Sequence, residues 1–128
     1  MTRDRAPRLL VVEDNDTNMM IFRDLLVTEG YEVREATTAE AAFAVARSEP
    51  IDLILMDVQL PGMDGIEAVR VLRNDPCTRE IPIVAVSAHA LAPHSKRALE
   101  AGCIGYVTKP IRSRDFRERV RSYLGSRV

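Results

Sequence analysis

Apolar residues along this chain switch repeatedly between two spacings. Short runs that are apolar at nearly every position predict buried strands at residues 9–13, 51–56 and 82–87, and two weaker runs add strands at 31–35 and 104–108. Between them the period becomes helical. Met19, Phe22, Leu25 and Leu26 share one face of a first helix, with Gly30 placed just past its end. Thr37 and Glu40 have capping-box spacing before a second helix, 39–48, which Pro50 ends. Asp64 and Glu67 repeat the signal before a third helix, which carries Val69 and Leu72 and stops at Asn74-Asp-Pro76. A fourth helix spans roughly 93–101 and ends at Gly102. A fifth, 113–124, sets Phe116, Val120, Tyr123 and Leu124 at i, i+4, i+7 and i+8.

Five strand–helix pairs with short connections predict an α/β fold with a doubly wound five-stranded sheet and five helices. The first, third and fourth strands are apolar on both faces, as parallel strands covered on two sides must be. Right-handed crossovers then place every strand-to-helix loop on one edge of the sheet. That step, and not sequence proximity, gathers residues 13, 14, 57, 87 and 109.

The bulk properties narrow the picture further. The 128 residues suit a single domain, 1–128, with a core at about 8–124 and no output domain. A net charge of −1 favours neither nucleic acid nor an anionic membrane, and no apolar stretch is long enough to cross a bilayer. The polar start, Met1-Thr-Arg-Asp-Arg-Ala-Pro-Arg8, has no apolar signal core. Cys77 and Cys103 then read as free thiols in a cytoplasmic setting, Cys103 as a small buried residue.

The strand ends carry the chemistry. In Leu53-Ile-Leu-Met-Asp57-Val-Gln-Leu-Pro61-Gly-Met-Asp-Gly65 an apolar run stops on a carboxylate and a Pro/Gly loop follows. The first strand runs likewise into Glu13-Asp14, and the fifth into Lys109-Pro110. Three carboxylates held close repel one another unless a cation compensates, and Mg2+ takes this kind of oxygen donor set together with a phosphate. A solvated acidic rim is the competing account. Asp57 is the candidate nucleophile toward phosphorus, once the phosphoryl charge is neutralised. Lys109 supplies a mobile point charge and Ser87 a hydroxyl donor for such a transfer.

This set resembles the receiver domain of bacterial two-component response regulators. The matching residues are Glu13-Asp14, Asp57 with Leu60-Pro61-Gly-Met-Asp-Gly65, Ser87-Ala88, Tyr106 and Lys109-Pro110, in order along residues 8–124. The segments around Ser87 and Lys109 look most like DivK-type single-domain regulators and the receivers of hybrid histidine kinases. The resemblance implies a flavodoxin-like sheet of strand order 2-1-3-4-5. It implies that Asp57 accepts a phosphoryl group from a histidine kinase or histidine phosphotransferase. Asp14, Asp57 and the Gln59 backbone carbonyl would hold Mg2+, with Glu13 acting through water. Lys109 would pair with the phosphate ahead of a cis Lys109–Pro110 bond. Ser87 and Tyr106 would form a switch, although Tyr106 also fits a plain strand aromatic. Gln59, Ala88 and His89 would flank the phosphoryl site; Gln59 could orient a water, and His89 could titrate near neutrality or be a bystander. The protein would be no enzyme beyond its own phosphorylation and autodephosphorylation.

Two other classes compete. A small Mg-dependent phosphohydrolase with an aspartyl-phosphate intermediate usually has an acid two residues past its nucleophile, where Gln59 stands here. A nucleotide-binding domain needs glycines after its first strand, where Glu13-Asp-Asn-Asp-Thr17 is acidic. Arg112, Arg114, Arg117, Arg119 and Arg121 crowd the last helix. They read as a solvated face, or as contacts of Arg117 and Arg121 with an acidic partner or a second copy. The resemblance makes the fourth helix, fifth strand and fifth helix the face read by a downstream protein, with the chain itself a monomer or a phosphorylation-dependent dimer. It makes the first helix the kinase-docking element, with Met20 expected to be exposed.

Overall fold

The computed structural model describes residues 6–60, 62–88 and 92–125. Five strands alternate with five helices: β1 (Arg8–Val12), α1 (Asp16–Thr28), β2 (Glu32–Ala36), α2 (Ala39–Ser48), β3 (Leu53–Asp57), α3 (Gly65–Asn74), β4 (Ile83–Ser87), α4 (Ala92–Ala101), β5 (Gly105–Thr108) and α5 (Ser113–Gly125). All neighbouring strands are parallel, in the order β2-β1-β3-β4-β5. The expected topology is the observed one.

The alternation of side chains splits the core into two layers. Leu9, Val11, Leu53, Leu55, Val84, Val86 and Val107 face α1 and α5. There Phe22 and Phe116 pack with ring centroids 5.5 Å apart. Leu10, Val12, Ile54, Met56, Ile83 and Ala85 face α2, α3 and α4. Among the described residues, no helix is long and apolar enough to cross a membrane.

Most element boundaries shift by one or two residues from the sequence reading, and three of the shifts have a plain cause. The second helix is capped by Thr38, not Thr37: the Thr38 side chain accepts the Ala41 N–H at 3.1 Å. β2 starts one residue late because the Tyr31 N–H closes α1 by donating to the Leu26 carbonyl. In that closure Gly30 holds φ +89°, which glycine adopts without strain. β3 starts at Leu53 because Asp52 is spent on the strand entrance, where its Oδ2 accepts the Arg8 N–H at 2.8 Å.

Candidate functional site

Register puts the chemistry on one edge. Val12, Met56, Ala85 and Tyr106 lie side by side across β1, β3, β4 and β5. One step further along, Asp57 pairs with Val86, and Ser87 then pairs with Thr108. Glu13 and Asp14 leave β1 at that same level, and Lys109 leaves β5 just beyond it.

The side chains converge on a tight cluster. Asp57 is 3% exposed. Its Oδ1 accepts the Gln59 N–H at 2.9 Å and its Oδ2 lies 3.2 Å from Lys109 Nζ. Glu13 is 1% exposed. Its Oε2 accepts the Asn15 N–H at 3.1 Å, while Oε1 sits 2.9 Å from Lys109 Nζ as an ion pair without a hydrogen bond of its own. Asp14 is exposed, yet one oxygen from each of Glu13, Asp14 and Asp57 falls within 4.8 Å of the others. Ser87 is fully buried at the end of β4, and its carbonyl accepts the Lys109 N–H at 2.7 Å. The Lys109–Pro110 peptide is cis. Tyr106 is half-buried and packs toward the α2–α3–α4 layer. Gln59 and Ala88 are exposed beside the cluster, and His89 lies outside the described residues.

The electrostatics follow from this geometry. Burial pushes the Asp57 carboxyl up from 3.8 to about 6; Glu13 adds to the rise, while the Gln59 N–H and Lys109 oppose it. For Lys109, burial favours the neutral amine. The close ion pair with Glu13, together with Asp57, outweighs that and raises its pKa. One ammonium thus serves two buried carboxylates. A buried carboxylate oxygen without a hydrogen bond, in a set of three hard oxygen donors, fits a divalent cation of the Mg2+ kind.

The loop after β3 is built to approach closely. Asp64 caps α3 by accepting the Ile66 N–H at 2.8 Å. A side chain on Gly65 would strike the Asp57 carbonyl and the Val58 Cα, so glycine is required where α3 begins.

A sequence profile of the response regulator receiver domain matches residues 9–121. This chain belongs to that family. Among curated relatives, the polar-differentiation response regulator DivK of Brucella ovis is 42% identical over 117 residues, covering 91% of this chain and 95% of that protein. Among solved structures, a response regulator of Chloroflexus aurantiacus superposes with a TM-score of 0.90 at 31% identity, covering 94% of this chain and 99% of that one. The receiver domain of a sensor histidine kinase from Pseudomonas aeruginosa superposes with a TM-score of 0.86 at 32% identity, covering 94% and 98%. That protein is described with a magnesium ion coordinated in its active-site cleft. The receiver domain described here is therefore a phosphorelay signalling module that works as a phosphorylation-dependent switch, and the phosphohydrolase alternative is not favoured. Receivers of this family are signalling proteins rather than ordinary enzymes, and they work with histidine kinases or phosphotransferases.

Two features of the receiver escaped the sequence reading. The first is the full burial of Glu13 and its pairing with Lys109. Residues 13, 57 and 109 share the alternation of Val11, Leu55 and Val107, all of which face α1 and α5. That parity is the signal that would have joined them. The second concerns the arginines of α5. Arg121 donates to Glu29 of α1 at 2.6 Å, and Arg119 donates to the Tyr106 carbonyl at 2.9 Å and to the Tyr123 hydroxyl at 3.1 Å. Arg114 pairs with Glu118 at 3.6 Å, so among the described residues Arg112 and Arg117 are the two not tied in this way. On α1, Met20 is 47% exposed as expected, while Met19 and Phe22 are buried; Ile21 is also 41% exposed, which the pattern did not reveal.

Proposed function

We propose that Asp57 is the phosphoacceptor. The observation that carries this reading is the convergence of Asp57, the ammonium of Lys109 and two further carboxylates at the end of a rigid buried strand. The Asp57 carboxylate attacks the phosphorus of a phosphohistidine, a P–O bond forms, and the P–N bond breaks. The departing imidazole nitrogen takes a proton from solvent. Without metal the Asp57 pKa stands near 6, so the carboxyl is mostly ionised at pH 7.5. Asp14, Asp57 and the Gln59 carbonyl would hold Mg2+, with Glu13 acting through a water. Bound there, the ion supplies positive charge for the phosphoryl oxygens. Lys109 moves from its two carboxylates toward the added phosphoryl oxygens. Ser87 donates its hydroxyl hydrogen, and Tyr106 turns toward the space that Ser87 leaves. A coupling of about 1–3 kcal/mol at this switch changes partner affinity about 5- to 150-fold.

On the same reading the receiver removes its own phosphoryl group, with Gln59 orienting the attacking water. The exposed Met20 and Ile21 of α1 meet the histidine-bearing helix of the donor. The α4–β5–α5 face meets the downstream protein, through Arg112 and Arg117 rather than the engaged Arg121, as a monomer or as a phosphorylation-dependent dimer. The setting is cytoplasmic.

The test is incubation with Mg2+ and acetyl phosphate, followed by intact mass. A single added phosphoryl group that is absent from Asp57→Asn is the expected result. An adduct that persists in Asp57→Asn moves the site elsewhere, and continuous turnover of phosphate esters revives the phosphohydrolase.

A further inference from the structure

The helix α4 is held differently from its neighbours. Buried side chains anchor α1 through Met19, Phe22 and Leu26, and α5 through Phe116, Val120 and Leu124. Among the described side chains of α4, only Ala98 and Ala101 are buried, and Leu99 is 50% exposed. A buried methyl contributes a small fraction of what a leucine or phenylalanine does. Elements held this lightly belong to the low-stability end of a fold and open first.

A polar clamp compensates at one end of this helix. Arg73, in the last turn of α3, donates to the Gly102 carbonyl from Nε at 3.0 Å and from Nη2 at 2.9 Å. Its Nη1 donates to the Arg79 carbonyl at 2.9 Å and to the Ile81 carbonyl at 2.6 Å. One half-buried guanidinium thus joins α3, the segment leading into β4 and the end of α4, and its fixed fork suits that task. Gly102 accommodates the clamp. It holds φ +122°, and a Cβ there would come within 2.8 Å of Arg73 Cγ and 2.9 Å of Nε. Just past it, the Cys103 N–H closes the helix on the Ala98 carbonyl, and the Ile104 N–H enters the sheet on Ile83.

We propose that Arg73 is a positioning residue that fixes the carboxyl end of α4, so that α4 moves as a lever about Gly102. The other end of that lever is the one that follows β4 and Ser87. A helix of 10 residues is about 15 Å long, so a tilt of about 10° displaces that end by about 2.6 Å and the clamped end hardly at all. Toward the Asp57 loop, Arg97 of α4 reaches Asp64 at 3.8 Å in an exposed pair. The trigger for the tilt rests on the reading of Asp57 as phosphoacceptor; the clamp does not.

Amide hydrogen exchange read by mass spectrometry tests the clamp without any phosphodonor. In Arg73→Met, the amides at the carboxyl end of α4 should exchange at least about tenfold faster than in the parent, with less than about twofold change in β1, β3 and α1. A uniform rise across all segments, or no change at that end of α4, overturns the proposal. If Arg73→Met does not fold, Arg73→Lys, which keeps the charge but loses the fork, and Gly102→Ala, which displaces the arginine stem, should give the same local pattern. Acetyl phosphate and Mg2+ are then added, with intact mass recorded alongside. Faster exchange confined to the amino-terminal half of α4 in the parent, spreading over the whole helix in Arg73→Met, is the expected result. A phosphorylated parent whose α4 responds evenly along its length overturns the lever. If no adduct forms, the reading of Asp57 fails, and the arm without donor still decides the clamp.

Discussion

Replacing Asp57 by asparagine should stabilise the protein in the absence of metal. The Asp57 carboxyl is buried against Glu13, and its pKa stands near 6 instead of 3.8. Holding it ionised in the fold therefore costs about 3 kcal/mol at neutral pH, since one pKa unit is worth about 1.4 kcal/mol. Asparagine keeps an acceptor for the Gln59 N–H and leaves Lys109 paired with Glu13 alone, in a one-to-one ion pair. Allowing for the lost contact with Lys109, the expected gain is about 1–3 kcal/mol. Urea unfolding at pH 7.5 with EDTA should then show a midpoint raised by about 1 M with an unchanged slope. The pH dependence is specific. Between pH 4 and 6 native Asp57 retains a proton that the unfolded chain has released, so parent stability falls relative to the variant as pH rises through that window. The difference should be complete above about pH 7 and vanish below about pH 4. A variant less stable than the parent in EDTA at pH 7.5, or a difference independent of pH, would refute the account of a strained carboxylate cluster.

Other expectations test separate parts of the structure. Mg2+ at about ten times its dissociation constant should stabilise the parent by about 1.4 kcal/mol in thermal melts, with the effect lost in Asp14→Asn and in Asp57→Asn. Phe116→Ala should lower stability by about 3–5 kcal/mol, because a ring buried to 1% exposure and packed on Phe22 is removed; equilibrium unfolding measures it. Burial pushes the Cys103 thiol up to about 11, so iodoacetamide at pH 8 should label exposed Cys77 alone in the folded protein and both thiols in denaturant, as read by intact mass. Gly65→Ala should both lower the melting temperature and slow phosphorylation by acetyl phosphate, read by thermal melts and intact mass, because the added methyl strikes the Asp57 carbonyl and the Val58 backbone.

The fold was legible because β1, β3 and β4 are apolar at almost every position, which only a sheet covered on both sides accommodates. The site was legible for a related reason: in such a sheet a carboxylate or an ammonium that ends a strand must emerge on the loop edge, and Asp57, Glu13 and Lys109 all do. What the chain did not announce were contacts set by side-chain direction. Two adjacent threonines can each cap a helix, and backbone geometry chose Thr38, whose hydroxyl reaches the Ala41 N–H. Arg112 and the four arginines of α5 looked alike as charges, yet Arg119 and Arg121 fold back on Tyr106 and Glu29 because β5 and α1 offer acceptors there. Arg73 looked like an ordinary helix-ending cation, and only the turn at Gly102 shows that its fork closes on three carbonyls.

The distribution of rigidity over the molecule matches the work proposed for it. Glu13 and Asp57 repel one another, and the adjacent interior strands β1 and β3, apolar on both faces, supply the packing that holds them together. Their common counterion comes from elsewhere: Lys109 follows β5, the edge strand, and is 18% exposed against 1% and 3% for the carboxylates. The repelling groups are thus fixed and the compensating charge is free to shift on its flexible stem. On the reading proposed for Asp57, a phosphoryl group would bring a charge of about −1.5 to −2 and three acceptor oxygens to that point, and would compete directly with Glu13 for that ammonium. The ion pair of Lys109 with Glu13 would then be the bond to yield, and α4, which among its described side chains has only Ala98 and Ala101 buried, would be where the rearrangement meets least resistance. A receiver built the other way, with a mobile acid and a rigid lysine, would bind a phosphoryl group without passing the event on.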